Sequence, residues 1–200
     1  AFNLPAELPW WIVIFGAFVA IAIGKMAFGG LGNNVFNPAL VGRVFLLISF
    51  PAQMTTWPVA NKLTAMVDGE TMATPLSLMK QAIHGDTSAL EQLPSHLDLF
   101  LGLNPGSMGE ISAIALLIGL VYMLCRKIIT WHTPISIFLS VIVFGGILWL
   151  INPEVYPDPI QHLTTGGLML GAIFMATDYV SSPITHRGQL IYGCCIGLLT

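Results

Sequence analysis

Apolar residues dominate this chain in long runs, and polar residues gather between the runs rather than alternating within them. The first run extends over about residues 8–26, with Glu7 ahead of it and Lys25 near its end. Trp10 and Trp11 stand at its start, where aromatic side chains suit a membrane–water boundary. The stretch 28–38, F-G-G-L-G-N-N-V-F-N-P, then brings three glycines, three asparagines and a proline. A regular lipid-facing helix does not carry such a segment, because the backbone groups it frees must be satisfied by protein or face a cavity. Residues 39–50 are apolar again except for Arg43. The pattern predicts a broken or re-entrant helix over 29–50, followed by a half-span reaching about Trp57.

Residues 58–107 are the polar part and hold half of the acidic side chains. Four further spans follow, over about 108–125, 133–151, 166–180 and 189–200, completing a set that starts with 8–26 and 39–57. Arg126, Lys127, Trp131 and His132 mark one short loop, an acidic turn covers 152–158, and Asp178 interrupts the span 166–180. A faint echo links 28–38 with 166–183: each has Gly-Gly-Leu, an apolar stretch, a polar break and a proline, the pattern of paired broken helices in transport folds.

Composition agrees with this reading. The chain is 55% hydrophobic and only 8% charged, against about 25% charged in soluble domains, and its mean hydropathy is +0.80. Too few charges remain to cover a water-facing surface. The expected fold is an all-α polytopic membrane protein, a single transmembrane domain over 1–200 built as a helical bundle with broken helices. No basic run suggests nucleic acid. Cys125, Cys194 and Cys195 lack metal-ligand spacing and are expected as buried small hydrophobes. No histidine pair is spaced for a metal, and His84, His96, His132, His162 and His186 are expected in loops on both sides. The chain opens on Ala1 and stops within an apolar run at Thr200, so it is read as a fragment of a longer subunit.

Basic residues orient the spans. The Arg126-Lys127 loop and the Arg187 turn are expected inside, the acidic 152–165 segment and the polar 58–107 segment outside, with Lys25 and Arg43 towards the inside.

Candidate chemistry concentrates in few places. Asp178 is a carboxylate at membrane depth, costly and therefore a candidate for an ion path, with capping of a broken helix as its structural alternative. Glu110, after Gly106-Ser107-Met108-Gly109, is a second ion-path candidate, or an acid stabilised at a helix N-terminus. Arg43 is suited to a flavin phosphate or a carboxylate, or to snorkelling. Asn33, Asn34 and Asn37 are suited to satisfying broken-helix backbone. Thr74 followed by Pro75 reads as an N-cap and first helical residue, with a short helix to Ile83.

Residues 68–74, D-G-E-T-M-A-T, also resemble a flavin-attachment signal, in which the last threonine carries FMN through a phosphoester. Asp68, Thr71 and Ala73 match the pattern around Thr74, while Met72 stands where glycine is usual. Residues 29–43 (G-G-L-G-N-N-V-F-N-P-A-L-V-G-R), 50–54 (F-P-A-Q-M), 106–110 (G-S-M-G-E) and 175–185 (M-A-T-D-Y-V-S-S-P-I-T) together resemble the D subunit of the Rnf electron-transport complex. The B subunit of the Na+-translocating NADH:quinone reductase is similar but more distant.

That resemblance implies a urea-transporter-like fold in the bacterial cytoplasmic membrane, with covalent FMN at Thr74 on the outer side. It further implies a second, non-covalent flavin (riboflavin in the reductase relative), for which no motif marks a place here. The implied role is a subunit of an ion-translocating ferredoxin:NAD oxidoreductase, passing electrons through FMN and coupling them to Na+ or H+ transport. Its implied partners are other Rnf subunits, including a neighbouring flavin subunit and iron–sulfur subunits, and a flavin transferase. Gly29-Gly30-Leu31-Gly32 lacks the strand context of a dinucleotide fingerprint, so NAD is expected on another subunit. No acid–base catalytic residue and no metal site is expected. Two other classes fit the helices alone: a cofactor-free channel or secondary transporter, and a structural subunit that clamps partners. The segment 68–74 separates both from the redox reading.

Overall fold

The computed structural model describes residues 3–57, 74–83, 93–102, 106–107, 109–153 and 155–200. Asp68, Thr71, Met72, Ala73 and His84 lie outside the described residues. Every regular element among those described is helical.

Helix α1, Trp10–Phe18, runs on through a π turn, Val19–Ile23, and a 3₁₀ turn, Met26–Phe28. It stops where Gly29, Gly30 and Gly32 take left-handed φ of 105°, 90° and 86°, a region open to glycine because it has no Cβ. The Asn37 side chain then accepts from the Ala39 N–H at 3.0 Å and Pro38 takes the first position of α2, Pro38–Ser49. Pro51 cannot donate the hydrogen bond that would carry this helix forward. The chain therefore turns at Phe50 into a separate short α3, Pro51–Met54, where the sequence pattern predicts one half-span to Trp57. Helices α1 and α2 approach closely because Gly16 and Gly42 face each other's helix. A Cβ on Gly42 would lie 2.9 Å from the Gly16 carbonyl oxygen. Leu4, Leu8, Ile12, Leu46 and Met54 form the core of this half.

The second half begins with α4, Pro75–Ile83, and α5, His96–Leu101. Then come α6, Ala113–Cys125, and α7, His132–Ile151. A short α8, Pro159–Thr164, leads to α9, Leu168–Leu170, which continues as a π turn, Gly171–Met175. The last helix is α10, His186–Leu199. Ser95, Ser112, Asp158 and Thr185 each cap a helix start through a side-chain oxygen, which explains why those boundaries fall where they do. Helix α10 lies along α7 with Gly193 and Gly197 against Ser136 and Ser140, small residues four apart on both partners. The Ser140 hydroxyl donates to the Cys194 carbonyl at 3.0 Å. Leu116 and Leu120 of α6 pack with Met169, Leu170 and Ile173, and Ile137 and Val141 of α7 pack with Ala172 and Ala176.

Among the described residues, two helices have the length and composition to cross a bilayer: Trp10–Phe28, with mean hydropathy 2.1, and His132–Ile151, with 2.4. Only 22% of each apolar window is buried inside the molecule. Ile118, Leu139, Leu150 and Leu198 lie on the outside, an arrangement consistent with a membrane protein. The echo between 28–38 and 166–183 has a structural counterpart, since in both places a π turn leads into the break.

Some expectations need correction. All three cysteines are exposed, on the apolar helices α6 and α10, rather than in the core. His132 and His186 are not scattered loop residues. They open α7 and α10 and stack at 4.3 Å, with Trp131 stacked on His132 at 4.1 Å.

Burial lowers the pKa of His162, on α8 in the segment between α7 and α9. The folded state therefore holds fewer protons than the unfolded state below the usual value near 6.5. Stability is full above that value and falls as pH drops from there to the folded pKa. His162→Gln is expected to flatten the loss of thermal stability as pH falls below about 6.5, as read by a melting series in detergent; an unchanged slope would exclude His162 as its source.

Candidate functional site

Two polar clusters sit where the broken helices meet. In the first, the Asp178 carboxylate accepts from the Ser181 hydroxyl at 2.9 Å and from the Asn34 amide at 3.4 Å. The two breaks therefore touch, although 144 residues separate Asn34 from Asp178. Asn37 also crosses between them, donating to the Met175 carbonyl at 3.2 Å while its oxygen caps α2. Met175 is the last residue of the π turn, whose freed carbonyl needs a partner. Asp178 thus lies beyond the regular helix, in a polar turn, and not within a continuous span 166–180.

In the second cluster, Arg43 Nη1 lies 4.0 Å from Glu110 Oε2. Glu110 does not open a helix: it folds back in the turn ahead of α6, where its Oε1 accepts from the Ser107 N–H at 3.1 Å. Its N–H donates in turn to the Ser107 carbonyl at 3.0 Å. Glu110 and Arg126 therefore flank opposite ends of α6, and the Arg43 side chain points to the Glu110 end, not the side of Lys127 that charge counting suggests. The Ser107 hydroxyl and Glu110 Oε2 are buried and make no hydrogen bond to another of the described residues. Gly167 closes the cluster, since a Cβ there would sit 3.0 Å from Glu110 Oε2 and 3.6 Å from Arg43 Nη1.

A crevice of about 1120 Å³ joins the two clusters along α2. Asn37 and Ser181 of the first cluster and Arg43 and Gly167 of the second line it, with Val41, Phe45, Ile137 and Ala172 among its apolar walls. A cavity of this kind, mainly apolar with a few convergent polar groups, suits an organic ligand or a partly hydrated path.

Thr74 caps α4. Its hydroxyl oxygen accepts from the Ser77 N–H at 3.3 Å, and the Ser77 hydroxyl donates to its carbonyl at 2.7 Å. The α4 helix rests on the start of α9: Thr165 Oγ1 lies 3.7 Å from Met79 Sδ, and a Cβ on Gly166 would lie 3.6 Å from Leu76 Cδ2. Gly166 thus meets the Thr74 helix and its neighbour Gly167 meets the Arg43–Glu110 pair. Gly166 and Gly167 therefore link α4, which Thr74 caps, to the Arg43–Glu110 pair, while Ser181, the partner of Asp178, lines the crevice. Sequence reasoning missed Ser107 and the pairing of Asn34 with Asp178. The only sign of the first was its place in G-S-M-G-E, and nothing local signals a contact across 144 residues. Among the described residues no group of three or more His, Cys, Asp or Glu side chains could hold a metal.

The whole chain, residues 1–200, matches the profile of the NQR2, RnfD, RnfE family. The chain belongs to that family. It is 48% identical over its full length to the D subunit of the Na(+)-translocating ferredoxin:NAD(+) oxidoreductase complex of Acetobacterium woodii, covering 58% of that protein. It is 42% identical over 98% of its length to the D subunit of the proton-translocating ferredoxin:NAD(+) oxidoreductase complex of Clostridium ljungdahlii, covering 60% of it. A third relative, the D subunit of the ion-translocating oxidoreductase complex of Stutzerimonas stutzeri, is 40% identical over the full chain, which covers 62% of it. The chain thus spans about three fifths of the length of these relatives. Two of the family relatives carry different ions in their names, so membership alone does not select Na+ or H+.

Proposed function

We propose that the chain is the main membrane portion of the D subunit of an Rnf-type ion-translocating ferredoxin:NAD oxidoreductase, carrying FMN on Thr74 and coupling electron flow to Na+ or H+ movement. Family membership and the names of the relatives support the complex. The observation that carries the redox reading is the placement of Thr74. The segment 68–74 matches an attachment signal, and its acceptor hydroxyl stands at the N-terminus of a helix. A phosphoester there would place negative charge where first-turn N–H groups and the helix dipole stabilise it.

Bound flavin would supply one- and two-electron transfer, and the chain's own task is to hold and surround it. Thr74 provides the covalent tether and α4 fixes the tether against Gly166. Arg43 offers a positive charge on the crevice beside Gly167. A second flavin, as in the reductase relative, is part of this reading without a place assigned to it. The reading also includes a urea-transporter-like fold, supported by the two touching helix breaks. It sets the subunit in the bacterial cytoplasmic membrane with Thr74 on the outer face, beside a neighbouring flavin subunit. Iron–sulfur and NAD-binding subunits complete the complex, and a flavin transferase attaches the FMN. Electrophoresis of the denatured full-length subunit, made with a flavin transferase, is expected to show a fluorescent band at its mass; a dark band beside a fluorescent control substrate would reject the cofactor.

The ion path runs through Asp178, supported by its position in the contact between the two breaks, where its partner Ser181 lines the crevice. Asp178→Asn keeps the hydrogen bonds and removes the charge. It is expected to cut ion uptake by complex-containing vesicles about tenfold, equivalent to ~1.4 kcal/mol of lost stabilisation, with flavin content unchanged. Uptake at the wild-type rate would remove Asp178 from the path. A cofactor-free transporter would also use the crevice, and it predicts ion movement without any flavin on Thr74.

A further inference from the structure

The loop between α6 and α7 meets the start of α10 at one end of the molecule. The Thr130 hydroxyl donates to Gln189 Oε1 at 2.8 Å, and His132 stacks on His186. Arg126 and Lys127 on the loop and Arg187 on the helix are exposed at this end. No acidic residue occurs within 111–153 or 179–200. The ion pairs among the described residues are Arg43–Glu110 and His96–Asp158, so none of the three bases has an acidic partner there.

Two of these bases stand where local energetics oppose them. The Lys127 N–H donates to the Leu124 carbonyl at 3.0 Å and the Ile128 N–H to the Met123 carbonyl at 2.9 Å. This pair of bonds closes α6 through a left-handed residue, a place that glycine usually fills, and Lys127 fills it with φ 55°. A side chain is disfavoured there because its Cβ crowds the following carbonyl. Arg187 lies in the first turn of α10, whose positive dipole end repels a cation. Arg126 alone, at the end of α6, suits its helix dipole. An anion held outside the molecule offsets both penalties. Exposed Ile118 and Val121 of α6, and Leu139 and Ile135 of α7, lead towards this end, where Trp131 is exposed on the same loop as Arg126 and Lys127. The order apolar, aromatic, basic is that of helices leaving hydrocarbon for the headgroup layer. A soluble acidic partner accounts for the charges but not for this order.

We propose that Arg126, Lys127 and Arg187 form a surface that holds the phosphate headgroups of anionic phospholipids at the membrane boundary. This rests on placing these helices in a bilayer and is independent of flavin at Thr74. Lys127 is then kept in a glycine position for its charge. Each base adds about fivefold to the preference for an anionic over a zwitterionic lipid, and salt weakens that preference.

The test uses the full-length subunit purified in detergent and incubated with equimolar phosphatidylglycerol and phosphatidylcholine of identical acyl chains. Native mass spectrometry counts the first lipid retained. Wild-type protein is expected to retain phosphatidylglycerol in excess. Lys127→Gly is expected to lower that excess about fivefold while melting at or above the wild-type temperature, a split that a purely structural lysine does not give. Arg187→Gln is expected to lower the excess about fivefold as well. An excess unchanged in both variants would overturn the proposal, as would a lower melting temperature for Lys127→Gly. Displacement of the lipid by inorganic phosphate, but not by chloride at equal ionic strength, would overturn it in favour of a free-anion site. No excess in wild-type protein would overturn it in favour of an acidic protein surface. A subunit that stays soluble without detergent would overturn the bilayer placement itself.

Discussion

Replacing Thr74 with alanine is expected to remove covalent flavin completely while leaving the protein folded. A phosphoester needs a hydroxyl, and alanine has none, so attachment at this position falls to zero rather than by a factor. The structural cost is small by comparison. Thr74 caps α4 by accepting one hydrogen bond from the Ser77 N–H, and loss of such a cap typically costs about 1 kcal/mol. The Ser77 hydroxyl still reaches the carbonyl of residue 74, and Pro75 still presets the first turn. Thr74→Ser separates the two contributions, since it keeps both hydroxyl and cap. Electron flow through the assembled complex and the elution profile of the purified subunit read the two effects independently. Normal electron flow in Thr74→Ala would contradict the redox reading, and its aggregation alongside a well-behaved Thr74→Ser would show that the cap matters more than argued.

The second large effect is structural. Gly193→Leu is expected to force α10 away from α7 and destabilise the second half of the bundle. A side chain at 193 has nowhere to go: even a Cβ would run into the Ser136 hydroxyl and come within 2.9 Å of the Thr133 carbonyl oxygen. One turn later Gly197 is equally close to Ser140 and to the Ile137 carbonyl, so the helices cannot slide to relieve the clash. Overpacking of a tight contact costs roughly 1–3 kcal/mol and sometimes more. About 2–4 °C of melting temperature per kcal/mol in a chain of this size gives an expected drop of about 2–12 °C. Thermal unfolding of the detergent-solubilised protein measures it, and Gly193→Ala is expected to lie between wild type and Gly193→Leu. A melting temperature equal to wild type for the leucine variant would show that α7 and α10 do not pack as described.

Much of this architecture is legible in the sequence because lipid-facing helices announce themselves by composition. The runs 8–26 and 133–151 correspond to the two long apolar helices, and F-G-G-L-G-N-N-V-F-N-P forms a left-handed glycine turn capped by Asn37. Thr74-Pro75 reads as a helix start for the same local reasons that make it one. What stays hidden is set by long-range contact. Asn34 and Asp178 both stand out as polar residues in apolar surroundings, yet nothing in either segment says that they meet. Charge counting puts Arg43 on the inner side, whereas a long side chain in the middle of a helix points to its partner, and that partner is Glu110. The cysteines mislead because hydrophobic sequence no longer means buried position once lipid is the solvent.

Whether this chain is a flavoprotein subunit is decided most directly by the mass of the peptide containing Thr74, taken from the full-length protein made with an active flavin transferase. The peptide is expected to carry one FMN linked through phosphate to the Thr74 hydroxyl, and the modification is expected to disappear in Thr74→Ala. An unmodified Thr74 peptide, with the transferase shown to modify a known substrate in the same cells, would contradict the redox reading and leave the two touching helix breaks as parts of a transporter without a cofactor.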